Sequence, residues 1–319
     1  MKRLILVMLL CGVWSEVWAQ EKDSLLVVFW NVENFFDWTD QGTGESDKEF
    51  SSYGTRYWTK SRFYTKCDQI AKALMWISER YGCMPDVIGL AEVENSGVLT
   101  KLLEYTLLRK YDYSIVHKES GDRRGIDVAL LYRKSSMILN SKTFIAPIFE
   151  GKKMATRDIL HARMKVSNGI FFDFIVNHHP SKYGGAKESE DRRNAVMSTL
   201  RHICDSLKYE DIIAMGDFND TPNGSQFKFV NDVLSNKGLV LHDKGEGTIR
   251  YKGKWELIDF FLTGSDLSTS AMSIERIPFL TTYEKRYPGE KPLRTYSGPR
   301  YLGGVSDHYP VSIWIYFIN

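Results

Sequence analysis

Short, dense apolar runs recur along this chain, and each one stops at a carboxylate, an asparagine or a histidine. Leu25-Leu26-Val27-Val28-Phe29-Trp30 gives way to Asn31-Val32-Glu33-Asn34, and Asp86-Val87-Ile88-Gly89-Leu90-Ala91 to Glu92-Val93-Glu94-Asn95. Ile170 to Val176 ends in Asn177-His178-His179-Pro180-Ser181, and Asp211-Ile212-Ile213-Ala214 runs into Met215-Gly216-Asp217-Phe218-Asn219-Asp220. Runs of this kind are strands buried on both faces. Residues two apart on a strand point to the same side, so Asp217 and Asn219 form a carboxylate–amide pair at a strand end. Such a pair suits a hard cation together with a phosphate or an attacking water. One Gly-Asp-x-Asn is also ordinary turn chemistry. Its repetition at the end of run after run shifts the reading toward a site.

The remaining pattern fills in around these strands. Apolar residues at Ile70, Ala73, Leu74 and Ile77 predict a helix over 61–80, with Gly82 as its C-cap and Pro85 blocking continuation. Further helices are expected over 99–108 and 187–207, and a short one within 222–235. Tyr111 to His117, Asp127 to Tyr132 and Val311 to Phe317 read as strands. The stretches near Ile138, Phe144 and Ile159 to Val166 read as a β-meander, with Asn168-Gly169 as a hairpin turn. Residues 37–60, with Trp38, Arg56, Tyr57 and Trp58, and residues 285–301 read as long polar loops. No repeat, low-complexity tract or linker interrupts the chain, so residues 20–319 are expected to form a single domain, with sheets packed on each other and helices outside.

Composition excludes little. The 319 residues are 43% hydrophobic and 26% charged, and the formal net charge of +2 supplies no global field for nucleic acid or membrane. Any basic surface must be local. Lys2 and Arg3 precede an apolar run, Leu4 to Val13, too short to span a bilayer. Val17-Trp18-Ala19 then predicts signal-peptide cleavage after Ala19 and export to the periplasm or beyond. Leu10 before Cys11 argues against lipid anchoring. The other cysteines, Cys67, Cys83 and Cys204, allow at most one bridge, Cys67 with Cys83 being the nearer pair; three small buried hydrophobes is the equal alternative.

The residues able to carry chemistry are Asn31, Glu33, Glu92, His178, Asp217, Asn219, Asp259, Asp307 and His308. Each also has a plain structural explanation, as a turn former or a satisfied core histidine. Asp259 is the exception, because Leu257-Ile258-Asp259-Phe260-Phe261-Leu262 buries an ionised carboxylate unless a donor or metal meets it. Neighbours on a strand face opposite ways, so Asp307 and His308 have different partners. Asp259 with His308 follows, leaving Asp307 near a metal or water.

Taken together, Trp30-Asn31-Val32-Glu33, Leu90-Ala91-Glu92-Val93, Val176-Asn177-His178, Gly216-Asp217-Phe218-Asn219, Leu257-Ile258-Asp259 and Ser306-Asp307-His308 resemble the endonuclease/exonuclease/phosphatase superfamily. The resemblance covers nearly all of the mature chain and implies an α+β fold: a four-layered α/β sandwich of two mixed sheets, as in the DNase I-like enzymes. It implies that Glu92 is the principal metal ligand, that Asn31 serves both metal and phosphate, and that Glu33 and Asp307 are further ligands. Asp217 and Asn219 would orient the attacking water and the phosphate. Asp259 would support His308 as the catalytic histidine. His178 matches a position that is His in DNase I-like members, and Asp127 falls where those members set an acid against it.

The expected activity is Mg²⁺-dependent phosphodiester hydrolysis, with Mn²⁺ or Ca²⁺ as alternative ions. The substrate expected first is DNA or RNA, because Arg56, Lys60, Arg62, Arg123, Arg124 and Lys182 fall near the site loops. Among these Arg124, with Asp127, is assigned to substrate binding. The second reading is a lipid or small-molecule phosphoesterase of sphingomyelinase or inositol-phosphate type. The third is a binding protein that has lost catalysis, against which the full residue set argues. No obligate protein partner is expected, and the chain is expected to be a monomer.

Overall fold

Each dense apolar run is a strand in the computed structural model, which describes residues 23–42, 44–182, 186–207 and 211–317. The expected export signal, residues 1–19, lies outside the described residues. Along the chain the strands of the large sheets are β1 (Ser24–Phe35), β2 (Val87–Val93), β3 (Tyr113–His117), β4 (Asp127–Arg133), β5 (Met137–Ile145), β6 (Ile159–Val166), β7 (Phe171–His178), β8 (Ile212–Asp217), β9 (Leu234–Asn236), β10 (Asp259–Gly264), β11 (Ser273–Ile274) and β12 (Val311–Tyr316). The helices are α1 (Lys60–Tyr81), α2 (Ser96–Tyr105), α3 (Ala186–Asp205) and the short α4 (Leu239–Asp243).

The strands form two six-stranded sheets, ordered β11-β12-β1-β2-β4-β3 and β9-β10-β8-β7-β6-β5. Each has a parallel central pair, β1 with β2 and β8 with β7, flanked by antiparallel neighbours. The alternation of side chains explains the stacking. Val27 and Phe29 on β1 join Ile175 on β7 and Met215 on β8 in one buried cluster between the sheets. The alternate residues Leu26, Val28 and Trp30 point the other way and pack with Ile70, Leu74 and Ile77 of α1 and Leu99 of α2. On the far side, Met197, Leu200 and Cys204 of α3 cover the second sheet. The result is the expected α+β sandwich, layered helix, sheet, sheet, helix.

α1 begins where Thr59 accepts from the Arg62 N–H and ends at Gly82, whose φ of 75° is the left-handed cap anticipated from sequence. Cys67, Cys83 and Cys204 are all thiols, so the bridge left open by the sequence is not formed. Residues 285–301 correct the sequence expectation of a plain loop. They contain Gly289–Pro292, which pairs with Thr281–Glu284, and a tight pair of Tyr296–Ser297 with Arg300–Tyr301. Tyr296 packs its ring among Phe50, Trp58 and Tyr301, which no periodicity announces.

Candidate active site

Sheet register brings the polar strand ends to one edge. Asp217, the last residue of β8, pairs with His178 of β7 on one side and with Asp259 of β10 on the other. Gly216 is required beside it, because a Cβ there would lie 2.4 Å from the Asn177 carbonyl oxygen. On the facing sheet, the register slips between Asn31 and Phe35 and between Ala91 and Val93. Bulges of this kind re-aim side chains. Glu33, Asn34 and Glu92 take φ of 47°, 51° and 64°, and Asn219 takes 50°, conformations that L-residues adopt at a cost.

These ends meet around one carboxylate oxygen. Asp217 Oδ2 accepts from Asn31 Nδ2 at 3.0 Å and lies 3.5 Å from His178 Nε2 and 4.0 Å from His308 Nε2. Its partner Oδ1 accepts from the Asn219 N–H at 2.9 Å. His308 Nδ1 is 2.8 Å from Asp259 Oδ2, so the pairing expected from the cost of burying Asp259 is present. Thr248 Oγ1 donates to the same Asp259 oxygen at 2.5 Å. His308 is fixed along its backbone as well: its N–H donates to Ser306 Oγ, its carbonyl accepts from Trp30 Nε1, and Ser306 Oγ–H donates to the Asn31 carbonyl. Asn219 turns its amide toward the His179 carbonyl, at 2.9 Å.

Burial and neighbours set the charges. Burial disfavours charge on His308, but Asp259, then Asp217 and Asp307, outweigh it and raise its pKa well above the ordinary value. Asp217 is pushed up to about 7 by burial and by Asp259, against the pull of His308 and Asn31. His178 goes the other way: burial, then Arg157 and Arg124, hold it well below the ordinary histidine range.

Not every expected residue joins the cluster. Glu33 has protein partners on both oxygens. Arg294 holds its Oε1 at 2.5 Å and the Thr295 N–H holds its Oε2 at 3.1 Å. The bulge at Glu33 brings the side chain to Arg294, in the connection between the two hairpins. Asp307 sits on the other side of that guanidinium, at 3.2 Å, and 3.8 Å from His308 Nε2. Asp127 has partners of its own among the described contacts. Its carboxylate accepts from Ser120 and lies 3.8 Å from His117 Nε2, and Asp127 itself pairs with Val93 of β2. Of the basic residues, Arg56 pairs with Glu49 and Arg123 with Glu45, while Lys60 and Arg62 lie over Trp38 and Tyr301. These hold loops together. Arg124, 3.8 Å from Glu92, and Lys182 remain at the site.

Residues missed in the sequence complete it. Arg294 joins Glu33 to Asp307. Arg157, buried, donates to the His179 carbonyl at 2.8 Å and pairs with Asp122. Lys66 of α1 is also buried, donates to the Glu33 carbonyl and to Thr295 Oγ1, and is pushed down to about 8 by burial against the pull of Glu33. A buried Glu33 demanded a cation, and that signal was readable. The identity of the cation was not, since Arg294 lies in a stretch without periodicity.

The donor set fits a hard divalent cation. Glu92 spends Oε2 on the Asn34 N–H at 2.7 Å, while Oε1 faces only the distant Arg124 charge among the described contacts. Asp259 Oδ1 is buried without a hydrogen-bond partner. Ligand atoms of Asp217, Asp259 and His308 lie within 4.8 Å of one another, a spacing that suits an ion when His308 is neutral and a shared proton when it is charged. Beside the cluster, a cavity of about 280 Å³ is lined by Asn219 and Asp307, by Lys182, Arg250, Lys291 and Arg294, and by Tyr251.

Residues 26–316 match the model of an endonuclease/exonuclease/phosphatase family. No curated protein matches by sequence. Among solved structures, an endonuclease/exonuclease/phosphatase family protein of Bacteroides thetaiotaomicron superposes with a TM-score of 0.60 at 17% identity, covering 93% of this chain and 98% of that one. D. rerio TDP2 complexed with a single-strand DNA product gives 0.55 at 15% identity, covering 92% and 99%. A B. thetaiotaomicron mannosyl-6-phosphatase gives 0.57 at 16% identity, covering 92% and 100%. At these identities the likeness shows the fold.

Proposed function

The chain belongs to the endonuclease/exonuclease/phosphatase family of phosphoric ester hydrolases, and from that premise we propose that it is an exported phosphodiesterase that cleaves nucleic-acid backbones by in-line attack of water. The observation that carries the reading is the shared approach to Asp217 Oδ2 by Asn31, His178 and an Asp259-backed His308. Asp217 stands as the group that takes a proton from the attacking water, its pKa near 7 matching that task at neutral pH. His308, protonated through Asp259, donates to the phosphoryl oxygens as negative charge develops on them. Asn219 and Asn31 hold the phosphate in line, fixing the approach before the bond is made. His178, neutral, serves as a hydrogen-bonding wall. A divalent cation, Mg²⁺ first, held by Glu92 with Asn31, would neutralise the non-bridging oxygens and the leaving oxygen.

The test is hydrolysis of plasmid DNA, RNA and an aryl phosphodiester by the purified chain, with Mg²⁺ and with excess EDTA. Cleavage that stops in EDTA and weakens steeply with salt is the expected result; full turnover in EDTA sinks the metal-assisted reading.

One observation favours a second reading, a compact phosphoester. The cavity next to Asn219 and Asp307 has a volume of about 280 Å³, and its wall carries Lys182, Arg250, Lys291 and Arg294 with Tyr251 and Glu256. That size and charge suit a terminal nucleotide or a sugar phosphate. The B. thetaiotaomicron neighbour named as a mannosyl-6-phosphatase makes the second substrate worth including. Faster release of phosphate from hexose phosphates than cleavage of any polynucleotide would select it. Export is tested by N-terminal sequencing of the mature chain, with Gln20 expected first.

A further inference from the structure

His308 is aligned by Asp259, and Asp259 is met in turn by a buried hydroxyl to which no step of the hydrolysis is assigned. Thr248 is fully buried, and its Oγ1–H donates at 2.5 Å to Asp259 Oδ2, the oxygen that faces His308 Nδ1 at 2.8 Å. Among the described residues, the buried Asp259 Oδ1 has no hydrogen-bond partner. Two donors therefore share one oxygen and none reaches the other. With His308 as the sole donor, rotation about Cβ–Cγ would exchange the two oxygens, and the ring would follow whichever faced it. The Thr248 hydroxyl tells them apart.

The same residue reaches the segment of the histidine itself. The Thr248 carbonyl accepts from the N–H of Tyr309, the residue after His308, at 2.9 Å. One threonine thus ties together three stretches far apart in sequence, its hydroxyl on the acid and its carbonyl beside the imidazole. Thr248 is anchored in its turn. Its N–H donates to the Glu256 carbonyl at 3.0 Å, and its Oγ1 accepts from the Ile258 N–H at 3.4 Å. Gly247 permits this approach, because a Cβ there would lie 2.6 Å from the Glu256 nitrogen. Trp255, in the hairpin that pairs Ile249–Tyr251 with Lys254–Glu256, stacks on Tyr309 with ring centroids 5.9 Å apart. A donor held this firmly makes the carboxylate conform to it, which is the support a reacting group needs behind it.

We propose that Thr248 is a positioning residue for the hydrolysis: it fixes Asp259 and the His308 segment together, and so sets the angle at which His308 meets the phosphate. That role rests on the assignment of His308 and Asp259 to the reaction made above.

Thr248→Val keeps the shape of the side chain and removes the hydroxyl, and its steady-state kinetics on an aryl phosphodiester with Mg²⁺ test the role. With the substrate out of reach of Thr248, kcat should fall about 10-fold while KM stays within about 2-fold of wild type. Thr248→Ser restores the donor and should recover kcat to within about 3-fold. Thr248→Ala should behave as Thr248→Val, so poor folding of one variant leaves the other. Thr263→Val removes another fully buried hydroxyl from β10, one that donates to the Gly264 carbonyl, and should leave kcat unchanged. In an Asp259→Asn background Thr248→Val should cost less than about 2-fold more, because the acid it positions is gone. The role is overturned if Thr248→Val keeps wild-type kcat, if Thr248→Ser is as slow as Thr248→Val, if Thr263→Val is slowed equally, or if the Thr248 and Asp259 losses multiply in the double variant. Wild-type turnover in Asp259→Asn alone would instead remove the catalytic assignment of the pair. The Nδ1–H proton resonance of His308 then decides on Thr248 without reference to activity: it should shift in Thr248→Val and return in Thr248→Ser, and an unmoved resonance overturns the role.

Discussion

His178 and His308 look at the same carboxylate oxygen from opposite walls, yet their basicities are driven apart. The nearer ring, His178 at 3.5 Å from Asp217 Oδ2, is the one held neutral; the farther, His308 at 4.0 Å, is the one held charged. Distance to Asp217 therefore does not decide protonation. What decides it is the other ring nitrogen. His308 Nδ1 meets Asp259, whereas His178 Nδ1 is buried without a partner and Arg157 and Arg124 add repulsion. One fold thus places an acid and a neutral hydrogen-bonding group a few ångströms apart by choosing what stands behind each ring.

The largest consequence is catalytic. His308→Ala, like Asp217→Ala, should lower kcat by a factor on the order of 100 or more, while His178→Ala should lose only about 10-fold. Steady-state kinetics on one diester substrate decides this, and equal losses for the two histidines would erase the distinction. Next in size is Asp259→Asn, with an expected loss on the order of 10- to 100-fold in kcat. Since Asp259 is what raises His308, the alkaline fall of the pH–rate profile should move to lower pH in this variant; an unmoved limb would detach His308 from it. A smaller signal comes from the rings themselves. In ¹⁵N-edited NMR of the wild type, His308 should hold its proton at pH values where a free imidazole has lost it, and His178 should stay neutral where a free imidazole has gained one.

The smallest effect concerns stability. His179, next to His178, is pushed down to about 3 by burial, with its Nδ1 at 3.1 Å from Gln226 Oε1. A folded-state pKa below the unfolded value of about 6.5 means that the unfolded chain binds the extra proton, so this contribution is full above pH 6.5 and is lost as pH falls. Between pH 7 and 5 the loss is about 2 kcal/mol. Urea titrations should show His179→Gln losing that much less over the same interval, and identical pH slopes would contradict the assignment.

Much of this site could be read in the residues. Strand ends announced themselves because a buried run must stop at residues able to close a turn, and sheet register then carried Asp217, Asp259 and His178 to one edge. Asp259 declared its need for a partner by sitting among Leu257, Ile258 and Phe260. Glu33 and Asp127 have partners that the sequence did not announce, for a local reason: a bulge with left-handed φ brings the first to Arg294 and Thr295, and the second starts a strand next to His117. Arg294, Arg157 and Lys66 escaped because a buried cation is defined by its carboxylate or carbonyl across the fold, which spacing along the chain does not encode.

The left-handed backbone at Glu33, Asn34, Glu92 and Asn219 has an evolutionary corollary. Glycine would relax the local strain at each position, but at Glu33 and Glu92 it would also strip the carboxylate that meets Arg294 or the Asn34 N–H. At Asn219 the same change would relieve strain and delete the amide proposed to hold the phosphate. Selection for robustness and selection for turnover therefore pull against each other at Asn219, and heat-resistant variants recovered there should be the slow ones.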